Sequence, residues 1–146
     1  MIRGFMQMTP DIAAQWASRL LSILRIVAAL LFLQHGMQKM FGFPVSPPSG
    51  LPAMFTLGWF SGAIELVGGV LVLLGLFARP AAFIMSGEMA FGYWIAHAPR
   101  SFFPIVNGGD AAVLYCFVFL YIAIAGPGAW AVGAWAVDRA RGRAIA

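Results

Sequence analysis

The sequence predicts an all-α fold, a polytopic membrane bundle of four helices with both termini in the cytoplasm. Three observations predict it. Of the 146 residues, 62% are hydrophobic and 10% charged, whereas a soluble domain is nearer half apolar and a quarter charged. The mean hydropathy is +0.88. The apolar residues gather in four segments close to the roughly 20 residues that cross a hydrocarbon core about 30 Å thick. Runs such as Leu66-Val67-Gly68-Gly69-Val70-Leu71-Val72 do not alternate, which excludes a barrel. An ordinary cytosolic enzyme, a disordered chain and a disulfide scaffold are excluded by the same composition.

The chain reads as one membrane domain, 1–146. Thr9-Pro10-Asp11 supplies an N-cap, a proline at the first helical position and an acid in the first turn. A helix starts there, so residues 1–19 form an N-terminal interfacial segment that runs into the first span, about 20–41. Gly42 and Pro44 end that span. The second, about 58–77, is glycine-rich, and Gly58 with Gly62 lets helix backbones approach closely. Arg79-Pro80 is a tight turn, with Pro80 opening the third span, about 81–98, and Pro99 closing it. Asn107-Gly108-Gly109-Asp110 is a turn and cap before the fourth, about 110–125. Gly126-Pro127-Gly128 stops it, and residues 127–146 read as a cytoplasmic interfacial tail. Arg3, Asp11 and Arg19 precede the first apolar run, so the amino end does not read as a cleaved signal peptide.

Orientation follows from the asymmetry of Lys and Arg in short loops. Arg3, Arg19, Arg79, Arg139, Arg141 and Arg143 share one side, and Lys39 and Arg100 the other. The first side is therefore cytoplasmic, and the chain is expected in the inner (plasma) membrane as a multi-pass protein. Trp16, Trp130 and Trp135 suit an aromatic belt at that boundary, Trp59 and Trp94 one at the outer boundary. The net charge of +4 comes from nine Lys and Arg against five acids. No nucleic-acid partner is expected. The single cysteine, Cys116, excludes an internal disulfide, a CxxC redox pair, a CxxCH haem attachment and a four-sulfur metal site.

Polar residues inside the spans carry the functional argument. A charge at the bilayer centre costs about 2.5–3.5 kcal/mol on insertion scales, so such residues face inward and pair. The first span holds Arg25, Gln34, His35, Gln38 and Lys39, the second Glu65, the third Glu88, and Asp110 opens the fourth. Arg25, Phe32, His35 and Lys39 fall within one third of the helix circumference. Depth counted along the spans predicts a ladder: Arg25 with Glu88, His35 or Lys39 with Glu65, and Asp110 on top. With Asn107 these form the candidate polar site: Arg25, His35, Lys39, Glu65, Glu88, Asn107 and Asp110. The alternative is that the pairs only lock the bundle. His97, at the end of its span beside Pro99, reads as an interfacial residue near headgroups. Haem ligation is therefore disfavoured, and no metal is expected, since no Cys/His/Asp set has ligand spacing.

Several stretches resemble one family. His35-Gly36-Met37-Gln38-Lys39 resembles the histidine/glycine/lysine signature of DoxX-like membrane proteins. Gly58-Trp59 followed by Gly62-Ala63-Ile64-Glu65-Leu66-Val67-Gly68-Gly69 is similar to the family's second span. Gly75-Leu76-Phe77-Ala78-Arg79-Pro80 resembles its turn between spans two and three, and Gly126-Pro127-Gly128 its ending. Asn107-Gly108-Gly109-Asp110 resembles its Asn-Gly-Gly-acid stretch, with Asp110 where the family usually has Glu. The resemblance covers roughly residues 20–138. It implies a four-helix inner-membrane bundle, similar to a small subunit of thiosulfate:quinone oxidoreductase and associated with membrane redox complexes. It implies no established catalytic set.

The first functional expectation is a subunit of a quinone- or sulfur-linked membrane redox complex, with a polar site open to the outer face. Lys39 and His35 would hold an anionic or carbonyl oxygen, and Glu65 or Asp110 would exchange a proton. Quinone is the candidate cofactor, and a partner oxidoreductase chain must carry the electrons. A second expectation is a non-catalytic scaffold or assembly factor that binds a partner through the loops 41–55 and 99–109. A third is a small transporter or proton pathway, opposed by the small size and the lack of an inverted repeat. Besides lipid, a second copy of the chain is a candidate partner, because a polar core open at one face suits an oligomer.

Overall fold

A computed structural model of the chain describes residues 9–133. Among the described residues the fold is helical, with no strand. The helices are α1 (Pro10–Phe41), α2 (Leu57–Leu74), α3 (Ala78–Gly92), α4 (Pro104–Asn107) and α5 (Asp110–Ala125). α3 continues into a π-helical turn, Tyr93–His97, and a 3-10 turn, Ala98–Arg100. Arg3, Trp135, Arg139, Arg141 and Arg143, on which the orientation and the interfacial tail partly rest, lie outside the described residues.

Local chemistry sets the helix ends. The Thr9 hydroxyl accepts from the Ile12 N–H at 3.5 Å, with Pro10 at the first position. Gly75 adopts a left-handed φ of 73° and caps α2. The N–H groups of Gly75 and Leu76 then bond back to Val72 O and Leu71 O, satisfying carbonyls that the helix end would orphan. α2 therefore stops at Leu74 instead of residue 77. α3 starts at Ala78 and not at Pro80, because a proline in the first turn lacks only an N–H that has no helical partner there.

Small residues set the spacing of α1 and α2, which run antiparallel. A Cβ on Gly62 would meet Lys39 and Met40 at 3.0 Å, one on Gly69 would meet Leu33 at 2.7 Å, and one on Gly36 would meet the Leu66 backbone nitrogen at 2.8 Å. Gly68 instead receives Met85 of α3, with its Cβ position 2.7 Å from the sulfur. Gly58 faces Pro52 in the connecting loop, so of the predicted Gly58/Gly62 pair only Gly62 serves helix packing. α3 packs on both α2 and α5, whereas α1 meets α5 much more lightly. Between the four long helices lies an apolar layer of Phe32, Val72, Met85, Phe119 and Ile122, each 0–1% exposed.

The surface is inverted relative to a protein in water. Leu24, Leu31, Val67, Phe83, Phe91, Phe117 and Ile124 are exposed, while Ser22, Arg25, Glu65, Ser86 and Asn107 are buried. Apolar faces of this extent need an apolar surrounding. α1 and α2 are each long and apolar enough to cross a membrane, and α5 is a shorter apolar helix.

Candidate functional site

The seven predicted polar residues separate into three groups. Arg25 stands alone at one end. It is 0% exposed and does not pair with Glu88, contrary to the predicted ladder. Its Nε donates to Pro127 O at 2.7 Å, and its terminal nitrogens donate to Val72 O, Leu73 O and Trp130 O. The last carbonyls of α2 carry the negative end of the helix dipole and hold the cation without a carboxylate. The segment after α5 is strapped on by the same group of residues. Trp130 N donates to the Ser22 hydroxyl at 3.0 Å, and Ala129 N to Ser18 O at 3.3 Å. Residues 127–133, expected as the start of an interfacial tail, thus close the end of the helix cluster, with Ala131 buried. Gly128 is required there: it has φ +77°, and a Cβ would lie 2.4 Å from Ser22 Oγ. Arg79 repeats the device on α5, donating to Ala123 O at 3.3 Å and also to Ile124 O.

The second group lies at the opposite end of α1. Lys39 donates to Glu65 Oε1 at 2.7 Å and to Ser61 Oγ at 2.6 Å. Ser61 in turn donates to Glu88 Oε1 at 2.6 Å. One ammonium therefore serves carboxyls on two helices, one directly and one through a hydroxyl. The Lys39–Glu65 pair agrees with the predicted ladder. Glu88 belongs to this cluster because Ser61 and Val72 are eleven residues apart on α2, roughly 16 Å of rise, which puts Arg25 far out of reach. Glu65 Oε2 and Glu88 Oε2 are covered and have no hydrogen-bond partner among the described residues. Ser61 had a sequence signal, one turn before Glu65, but reads as merely small without its neighbours.

The cluster opens into a cavity of about 330 Å³ bordered by His35, Lys39, Glu65, His97 and Tyr115. Phe32 forms an apolar wall, its ring 5.1 Å from that of Tyr115 and 4.8 Å from Phe119. His97 is therefore not a bystander at the boundary: the π-helical turn carries it to the same cavity as His35. Its Nδ1 lies 3.1 Å from Asn107 O, and its ring stacks on Tyr93 at 6.2 Å. Tyr115 gives no signal in an apolar helix and is found only in three dimensions.

The third group, Asn107 and Asp110, does not join the cluster. Asn107 is 3% exposed. It builds the loop, donating to Ser101 O at 2.8 Å and Tyr93 Oη at 3.3 Å while accepting from Gly109 N at 2.7 Å. Asp110 is exposed in the first turn of α5, where an acid complements the helix dipole. It does not top the ladder.

Fold and site together define a class: a helical membrane protein with a buried ion-pair cluster that opens onto a cavity bordered by two histidines and a tyrosine. The DoxX family model matches residues 20–98, and the chain belongs to the DoxX family. An uncharacterized protein of Haemophilus influenzae is 46% identical over 116 residues, covering 77% of this chain and 87% of that protein. An uncharacterized membrane protein of Mycobacterium tuberculosis is 30% identical over 134 residues, covering 75% of this chain and 76% of that protein. No solved structure matches the chain. The resemblance carried by His35–Lys39 and by the glycine-rich second span is thereby shown to be membership.

Proposed function

We propose that the chain is a multi-pass inner-membrane subunit of a redox complex whose cavity holds the headgroup of a quinone-type amphiphile. α1, α2, α3 with its π-helical turn, and α5 form a four-helix membrane bundle, both termini cytoplasmic and the cavity at the outer face. One observation carries the reading: beside the cavity, along the lightly packed seam of α1 and α5, lies an apolar hollow with which it shares wall residues. That hollow, about 300 Å³, is bordered by Leu24, Val27, Leu31, Leu114 and Val118, and it shares Ala111 and Tyr115 with the cavity. A headgroup beside Lys39 would leave an isoprenoid tail in the seam. Lys39, His35 and Tyr115 offer donors to carbonyl oxygens, and His97, whose Nδ1 donates to Asn107 O, offers Nε2 as an acceptor for a quinol hydroxyl. Reduction of a quinone to its quinol takes two electrons and two protons. A partner oxidoreductase chain supplies the electrons, and Lys39 and Glu65 pass the protons.

The test is decylubiquinone binding to the purified protein in lipid nanodiscs, followed by tryptophan fluorescence. Binding is expected to saturate and to weaken about tenfold when Lys39→Met removes a charged hydrogen-bond donor. It is also expected to weaken in Ala111→Trp, which blocks the junction of cavity and seam. Binding indifferent to both variants sinks the reading.

The scaffold reading has its own support in the loop around α4. Phe102 is 87%, Phe103 61%, Ile105 83% and Val106 70% exposed, a surface suited to a partner chain. If it governs, Phe102→Ser with Phe103→Ser releases a co-purifying partner and leaves decylubiquinone binding unchanged. A pathway through the whole membrane has less support, because the layer of Phe32, Val72, Met85, Phe119 and Ile122 fills the space below the cluster.

A further inference from the structure

The cluster contains one cation and two carboxyls from three helices, and its four members differ in access to water. The Lys39 side chain is 29% exposed and borders the cavity. The Glu65 side chain is 2% exposed. Glu88 lies furthest from the cavity, with Oε1 taken by Ser61 and Oε2 covered. On its other side, between α2 and α3, lies a hollow of about 340 Å³ that Ser61 and Glu88 themselves border, its remaining walls apolar and including Leu57, Phe60, Ile84 and Phe91. The hydrogen bonds from Lys39 to Ser61 and from Ser61 to Glu88 are both 2.6 Å and run in one direction.

We propose that Glu88 is a proton store for the cavity, filled and emptied through the Ser61 hydroxyl and the Lys39 ammonium. The step balances without electrons. Lys39 gives a proton to Ser61 Oγ as Ser61 gives its hydroxyl proton to the Glu88 carboxylate. The neutral Lys39 amine then takes a proton from a donor in the cavity. The reverse sequence returns the proton. The ionisable groups facing this chain are Lys39 and His35 from α1, Glu65 from α2, His97 from the π-helical turn and Tyr115 from α5. Arg25 is not among them, being held by backbone carbonyls at the other end. The store deepens the reading of the cavity as a site of proton exchange, but it is a property of the chain without ligand and can be tested without one.

The test is infrared spectroscopy of the full chain in nanodiscs with no quinone present. The acid-form carboxyl band of Glu88 is identified as the one lost in Glu88→Gln. Its exchange is then timed after a switch to heavy water. Wild type and Ser61→Thr, which keeps the hydroxyl, are expected to exchange at similar rates. Ser61→Ala is expected to exchange about tenfold more slowly or worse, the low end of what a positioned proton carrier contributes. Ser61→Cys, a weak donor of similar size, gives the same slowing if the alanine variant folds poorly. Purely electrostatic coupling or direct entry of water would leave the rate unchanged in Ser61→Ala and Ser61→Cys, and that result overturns the proposal. So does the lack of an acid-form band for Glu88 at any pH where the protein is folded. Failure to bind decylubiquinone removes the quinone reading and leaves these rates as they are.

Discussion

Gly36→Ala tests the packing that brings Lys39 and Glu65 together. The new Cβ would sit 2.8 Å from the Leu66 backbone nitrogen and 3.1 Å from the Glu65 carbonyl carbon. Non-bonded heavy atoms are most favourable at about 3.5–4.0 Å, so α1 and α2 must part by roughly 0.5–1 Å at this level. No side chain can rotate aside, because the nearest atom belongs to backbone. Two effects oppose one another. Alanine favours a helix over glycine by about 1 kcal/mol. Overpacking costs about 1–3 kcal/mol, so the net change runs from near zero to a loss of about 2 kcal/mol. Gly87→Ala on α3 isolates the first effect, since nothing lies within 4 Å of its Cβ position. That variant should gain up to about 1 kcal/mol. The two variants should therefore differ by about 1–3 kcal/mol in reversible unfolding, measured in mixed micelles with increasing dodecyl sulfate and followed by circular dichroism. If Gly36→Ala proves as stable as Gly87→Ala, the close approach of α1 to α2 is wrong, and with it the placement of the cluster.

Arg25→Met removes the cation that four carbonyls share, and each one left unsatisfied costs about 1–3 kcal/mol. Expected outcomes are a large loss in the same unfolding assay and faster proteolysis just after α5. Arg25→Lys should restore little, since an ammonium lacks the planar fork that reaches Pro127 and Trp130 together with α2. Lys39→Met leaves the buried Glu65 without its cation and should cost roughly 3–5 kcal/mol. Lys39→Met with Glu65→Gln should recover most of that loss in a double-mutant cycle, and additive losses would show that the pair does not act as a unit.

What could be read from the sequence was local. The start of α1 at Thr9-Pro10, its end at Phe41 and the limits of α5 follow from caps, glycines and apolar runs within a few residues of each end. The end of α2 and the start of α3 fall a few residues away from the spacing because Gly75 and Pro80 act through backbone geometry that hydropathy does not weigh. In the site, Glu65 with either His35 or Lys39 was legible, since helical periodicity put all three on inward faces, but the choice of Lys39 was not. Arg25 with Glu88 was not, for two physical reasons. Depth was counted along each span separately, and such a count does not fix how far one helix is offset along another. A buried arginine can also be satisfied by carbonyls at a helix end, and those have no mark in a sequence. That His97 shares a cavity with His35 was not legible either, because a π-helical turn redirects side chains relative to straight-helix counting.

The two ends of the helix cluster solve the same electrostatic problem by different chemistry. At one end Arg25 and Arg79 are balanced by backbone carbonyls. Carbonyls do not titrate and arginine keeps its charge, so this end holds α2, α5 and the segment after α5 in place and has no proton to exchange. At the other end Lys39 is balanced by Glu65 and, through Ser61, by Glu88. Every member of that chain can donate or accept a proton. Between the ends lie Phe32, Val72, Met85, Phe119 and Ile122, with no water-accessible area to speak of. A clamp that cannot titrate, an apolar septum and a cluster that can titrate leave one end able only to hold and the other able also to exchange protons. The proposed chemistry is therefore assigned to the cavity beside Lys39, which Glu65 borders and which shares Ala111 and Tyr115 with the seam between α1 and α5.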